Sequence, residues 1–77
     1  MRRRLLWGFA AQHTLRRQLP EVARQIDRAA LLFAETGDDE LRCEPPYHYL
    51  PVGRYELELA ITDETVTVLH VHRARRG

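Results

Sequence analysis

Glu56 and Glu58 stand two residues apart, as do His70 and His72, where apolar and polar residues alternate. At that spacing on a strand, both members of a pair point to one face of a sheet. Two carboxylates so placed could share acid–base work, and two imidazoles could share a metal ion. Solvent-facing positions on a half-exposed sheet explain the carboxylates equally well. A zinc site would need a third or fourth ligand from His48, Cys43 or a glutamate, and no spacing signature marks one. The histidines are therefore expected to end a core-facing row, half buried, with no metal. Cys43 has no histidine beside it in a local signature and reads as a loop cysteine. The four glycines are isolated from one another, so there is no glycine-rich phosphate loop and no cofactor is expected.

A second cluster is basic. Arg73, Arg75 and Arg76 leave the end of the last apolar run, Arg54 precedes the neighbouring run, and Tyr47, His48 and Tyr49 lie one run earlier. Arginines gathered with aromatic and imidazole rings at one end of a sheet suit RNA phosphates and unstacked bases. A solvated basic tail is the plainer alternative. All 12 cationic side chains are arginine, whose fork matches phosphate and carboxylate better than lysine does. The net charge of +1 hides a segregation, with basic ends around an acidic middle at residues 29–64. That distribution permits a phosphate-binding surface without requiring one.

The elements that must position these residues follow from periodicity. Arg3 to Phe9 is short, bulky and apolar and reads as a first strand. Ala11, Leu15 and Leu19 recur at i, i+4 and i+8, which predicts one buried helical face over Ala10 to Leu19. Pro20 disfavours helix at Leu19 and suits the first position of a new helix. The second helix is predicted over Pro20 to Thr36, with Val22, Ile26, Ala29, Ala30 and Phe33 buried and Gly37 as its left-handed end. The short break between the two predicts an antiparallel helical hairpin. Asp38 to Pro46 reads as loop, and Tyr47 to Val52 as a strand that Pro51 limits to an edge or bulge. Beyond Gly53 the period changes to two through Ile61, and Thr65 to Arg73 completes a hairpin. A loop of two or four residues would pair Ile61 with Val66, Leu59 with Val68, Leu57 with His70 and Tyr55 with His72. Glu56 and Glu58 would then oppose Val71 and Leu69. The result is an α+β domain, β-α-α-β-β-β, with a helical hairpin packed on a small antiparallel sheet.

At 77 residues the chain makes one domain, spanning 1–77, and one this small is marginally stable. Its 44% apolar content argues against disorder. No run approaches the ~20 apolar residues of a membrane span, so no membrane partner is expected. One cysteine cannot form an internal disulfide, which points to a cytoplasmic setting. Met1 to Arg4 followed by Leu5 to Ala11 has the form of a signal peptide's basic and apolar regions. The apolar part is at the lower length limit and runs into a helical pattern, so a basic N-terminus entering a strand is the favoured reading.

Leu50-Pro51-Val52-Gly53-Arg54-Tyr55, followed by an acidic turn and Thr65-Val66-Thr67-Val68-Leu69-His70-Val71-His72-Arg73, resembles the RelE/ParE toxin superfamily. Leu15-Arg16-Arg17-Gln18-Leu19-Pro20-Glu21-Val22, with Ile26 and a helix ending at Gly37, resembles that family's helical hairpin. The resemblance covers nearly the whole chain in the same order. It implies a toxin of a bacterial type II toxin–antitoxin module, bound and neutralised by an antitoxin. RelE-like members cleave messenger RNA on the ribosome, and ParE-like members inhibit DNA gyrase. Carried over residue by residue, it implies phosphate stabilisation by Arg73 and Arg75, and an acid or base at His48. Arg54, Arg73, Arg75 and Arg76 would contact nucleic acid. Two departures stand out. Glu56 follows Tyr55 where the ribonuclease branch carries an arginine, and the sequence ends at Gly77 where active members continue with a tyrosine or histidine. A carboxylate at that position repels the phosphate that an arginine would stabilise. The alternative is a non-catalytic binding module, either a ParE-like gyrase inhibitor or a degenerate toxin relative that only binds protein. An exposed edge strand also allows self-pairing into a homodimer.

Overall fold

The structure, a computed structural model, describes residues 2–37 and 41–74. Its elements in chain order are β1 (Arg4–Trp7), α1 (Phe9–Arg16), α2 (Pro20–Thr36), β2 (Arg42–Glu44), β3 (Tyr47–Val52), β4 (Tyr55–Ile61) and β5 (Thr65–Arg73). The five strands form one sheet in the order β1-β5-β4-β3-β2. Both helices lie on one face, and the other face is open.

The second helix forms where the apolar period placed it. Pro20 opens α2 and Gly37 closes it at φ 70, its N–H donating to the Phe33 carbonyl. A left-handed residue ends a helix at least cost when it has no Cβ. Ile26, Ala30, Phe33 and Ala34 are buried against the sheet's Leu50, Leu57, Leu59, Val66 and Val68. Fully burying a side chain the size of Ile26 stabilises by about 1.5–3 kcal/mol. Gly53 takes φ 58 in the two-residue turn between β3 and β4, which an L side chain rarely adopts. Pro51 sits in β3 beyond the last residue paired with β2, so its missing N–H interrupts no ladder on that side.

Several expectations are corrected. The stretch read as loop contains β2, which pairs with β3 through a two-residue Pro45-Pro46 turn; residues 38–40 of that stretch lie outside the described residues. The sheet is mixed rather than antiparallel, because β1 pairs with β5 in parallel. No hairpin joins those two strands, so connectivity does not impose antiparallel pairing. The first strand ends at Trp7, and Phe9, expected inside it, opens α1 with 93% of its surface exposed. Of the predicted stripe on the first helix, Ala11 is buried and Leu15 packs against the core, but Leu19 is 71% exposed. α1 ends at Arg16, which puts Leu19 in the connection, where it precedes Pro20. Each helix makes its main contacts with the sheet, α1 with β5 and α2 with β1, β3 and β5, rather than with the other helix.

The register of β4 on β5 changes partway along. Ile61 pairs with Val66 and Leu59 with Val68 as expected, but a bulge follows between Glu58 and Leu59. Leu69 is the extra residue. Beyond it Glu58 faces His70, Leu57 faces Val71, Glu56 faces His72 and Tyr55 faces Arg73. The expected pairings of Leu57 with His70 and of Tyr55 with His72 are therefore overturned. The physical reason is burial: the slip turns Val71 into the core opposite Leu57 and spares the interior two imidazoles.

Candidate functional site

The bulge decides what stands on the open face. Before it, β5 sends Val66 and Val68 inward; after it, Val71 goes inward, and His70 and His72 go outward beside Glu58 and Glu56. The histidines therefore do not end a core-facing row. Their rings stack on each other with centroids 5.5 Å apart, and both are about half exposed.

Glu58 is the hub. Its Oε1 accepts a hydrogen bond from the Tyr49 hydroxyl at 3.2 Å and lies 3.5 Å from His72 Nε2, while its Oε2 lies 3.9 Å from His70 Nε2. Desolvation raises the Tyr49 phenol above its ordinary range, and the bond it donates to Glu58 raises it further. A carboxylate between two imidazoles can take up a proton while an imidazolium gives one, the pairing that general acid–base chemistry needs.

Glu56 is not a free repulsive charge. The Arg42 guanidinium, delivered by the edge strand β2, donates to both its oxygens at 3.0 and 3.3 Å and also donates to Glu44. The same guanidinium lies 4.2 Å from the centre of the Tyr49 ring, a cation–π contact. Those hydrogen bonds, with Glu56 first, raise the Arg42 pKa above its ordinary value. Arg42, Glu44, Tyr49, Glu56, Glu58, His72 and Arg73 together line an open cleft of about 680 Å³.

Among the expected site residues, Arg73 lines this cleft at the end of β5. Arg54 is brought to the same end of the sheet, where its carbonyl accepts from the Ala74 N–H at 2.8 Å. Arg75 and Arg76 lie outside the described residues. His48 pairs with Leu59, whose side chain is buried beneath the helices, so it occupies the face opposite the cleft. Its Nδ1 is buried without a hydrogen-bond partner among the described residues. Cys43 is exposed on β2 opposite His48. Among the described residues no group of three or more histidine, cysteine or acidic side chains could hold a metal ion, and no helix is long and apolar enough to cross a membrane.

Sequence reasoning missed Arg42 and did not join Glu58 to the histidines. Valines at 66, 68 and 71, spaced two and then three, carried a signal for the bulge. Arg42 carried none, because its strand is three exposed residues long.

No family model and no curated protein matches the sequence. Solved structures do match. One is a chain of the intact Escherichia coli RelBE toxin–antitoxin complex, at TM-score 0.75 and 22% identity, covering 96% of this chain and 99% of that one. Another belongs to the toxin–antitoxin complex RelBE2 from Mycobacterium tuberculosis, at TM-score 0.75 and 20% identity, covering 96% of this chain and all of that one. The agreement spans nearly the full length of both, so the two helices and mixed five-stranded sheet of this chain constitute the RelE-like α+β fold that its motifs resembled.

Proposed function

We propose that the protein is the toxin component of a bacterial type II toxin–antitoxin module, acting in the cytoplasm and neutralised by an antitoxin. The observation that carries this reading is structural similarity over 96% of the chain to chains of two RelBE toxin–antitoxin complexes, whose names give the antitoxin as a partner. Messenger RNA cleavage on the ribosome is the activity assigned to the open-face cleft. Glu58 would take the proton of a ribose 2′-hydroxyl as its oxygen attacks phosphorus. The phosphorus–5′-oxygen bond breaks, and protonated His72 would supply the proton to the departing oxygen. Arg73 would stabilise the phosphate charge, and Arg54, Arg75 and Arg76 would hold neighbouring phosphates. His48 takes no part in this scheme, because it stands on the other face of the sheet.

Pairing with Arg42 answers the objection that Glu56 raised, since the carboxylate's charge is met by a guanidinium on both oxygens. The cleft still carries three carboxylates, at Glu44, Glu56 and Glu58, against Arg42 and Arg73. That excess favours the second reading, a binding module that inhibits gyrase or engages only protein.

Growth after tightly controlled induction separates them. Arrest by the wild type, relieved by a folded Arg73→Ala, Arg75→Ala, Arg76→Ala variant, is the result expected of a toxin acting through its basic end. RNA cleavage that falls about 10²–10⁴-fold in both Glu58→Gln and His72→Ala assigns the chemistry to the cleft. Arrest that persists in those two variants points to the non-catalytic module. Normal growth with abundant soluble wild-type protein removes the toxin reading altogether.

A further inference from the structure

His70 has no role in the proton transfers assigned to Glu58 and His72, yet it faces the same carboxylate. Its Nε2 lies 3.9 Å from Glu58 Oε2, against 3.5 Å from His72 Nε2 to Oε1, and the two rings stack at 5.5 Å. Both are half exposed and so exchange protons with solvent directly. Among the described residues the charged groups around them come from three strands: Glu56 beside Glu58 on β4, Arg42 and Glu44 on β2, and Arg73 on β5 itself. β1 ends opposite Val68, short of both rings, and the helices pack on the other face. Carboxylates and guanidiniums ordinarily keep their charge between pH 5 and 8, whereas imidazole ordinarily changes its charge there. Tyr49 on β3, its phenol raised above the ordinary range, stays neutral throughout. With both imidazoles neutral, three carboxylates outnumber two guanidiniums and the site is net negative by one charge. With both protonated it is net positive by one.

We propose that the open-face cleft is a proton-gated polyanion site, in which protonation of the stacked His70 and His72 beside Glu58 reverses the local charge and admits RNA phosphates. The inference rests on the reading of the cleft as the RNA-binding face, and it supplies that site's regulation. Each imidazolium acts twice. It ion-pairs with Glu58, as Arg42 does with Glu56, and it offers charge-assisted N–H donors to a phosphate. Because both rings share one carboxylate, their proton uptake is coupled through it. The reversal is confined to the cleft, since His13 lies on α1 and His48 on the helix side of the sheet. Linkage makes the gate measurable in two directions. If RNA binds the protonated cleft more tightly, RNA must also hold those protons more tightly by the same factor. A tenfold difference in affinity between the protonated and neutral cleft corresponds to upward shifts of the imidazole midpoints that sum to about one pH unit.

The test uses the full-length protein and a short fluorescent oligouridine, whose bases take up no proton in this range, at constant low ionic strength. Affinity read by anisotropy is expected to rise at least about tenfold from pH 8 to pH 5.5. The double variant His70→Gln, His72→Gln should lose most of that dependence, whereas His13→Gln, which removes an imidazole outside the cleft, should keep it. A second measurement needs no variant. The imidazole ring signals of the wild type are titrated by NMR with and without oligouridine. The midpoints of His70 and His72 should rise on adding it, together by about one pH unit, while that of His13 stays in place. Affinity that does not change with pH, no binding at either pH, a full pH dependence in the folded double variant, or midpoints that RNA leaves unmoved overturns the proposal. An equal rise at all four histidines assigns the effect to overall charge and overturns it as well. The toxin reading fails separately. Growth arrest by a protein whose RNA binding ignores pH removes the gate and leaves the toxin reading standing. Gated binding by a protein whose induction never arrests growth does the reverse.

Discussion

Around Glu58 a phenol, a carboxylate and two imidazoles meet within 4 Å, and each constrains the others. Tyr49 gives a consequence that pH can read. Its phenol is raised in the folded protein, so the unfolded chain releases that proton first as pH rises past about 10. The unfolded state then holds fewer protons, and stability falls with pH. The contribution is fully present below pH ~10 and disappears as pH climbs through the raised folded value. Urea midpoints measured from pH 9 to 11.5 should therefore decline less steeply in Tyr49→Phe than in the wild type. Arg42 acts on charge more than on stability, because it is exposed and its ion pairs are shared with water. Arg42→Ala is expected to leave the urea midpoint almost unchanged while weakening RNA binding, since it frees the Glu56 carboxylate. Filter binding of a short RNA by the wild type, Arg42→Ala and the double variant Arg42→Ala, Glu56→Gln checks this. The double variant should recover most of the loss.

Among the elements, the bulge in β5 has the largest effect on the site. Deleting Leu69, the extra residue, would leave Val68 opposite Leu59, His70 opposite Glu58, Val71 opposite Leu57 and His72 opposite Glu56, so the ladder becomes regular with Val71 still inward and the histidines still outward. The deletion is therefore expected to keep the fold and the response of the histidines' signals to Glu58→Gln. Val71→Ala, which empties a buried position instead, should cost about 1.5–3 kcal/mol by chemical denaturation. The end of α2 is simpler. Gly37→Ala forces a side chain into the left-handed region and should cost about 1–2 kcal/mol, read as a lower thermal midpoint. Pro20 and Gly37 made this helix legible to the residue, because both act through local backbone geometry. β2 was illegible for the opposite reason. Arg42, Cys43 and Glu44 are all exposed and show no alternation, and they extend only because β3 offers them a free edge.

At the scale of the molecule, stability near 0.05–0.15 kcal/mol per residue makes a total of about 4–12 kcal/mol. A single core truncation is then severe. Ile26→Ala should remove about 2–5 kcal/mol and leave a large fraction of the molecules unfolded at 37 °C, as circular dichroism would report. A partner that binds only the folded chain offsets such a loss. At a free concentration one hundred times its Kd it adds about 2.7 kcal/mol, enough to restore a cooperative melt to the truncated variant. The helices cover one face of the sheet and leave the other open.

The order of every element except β2, the limits of α2, the inward row of β4 and the outward placing of Glu56 and Glu58 were all present in the amino-acid sequence. Each depends on a residue's own backbone preference or on a period of two or 3.6, and such signals are local. The parallel docking of β1, the existence of β2, the meeting of Glu58 with His70 and His72, and the capture of Glu56 by Arg42 were not. Those depend on which strand lies beside which and in what register. Register is chosen by the summed burial of Val66, Val68 and Val71 against Leu57 and Leu59, a quantity that no single segment contains.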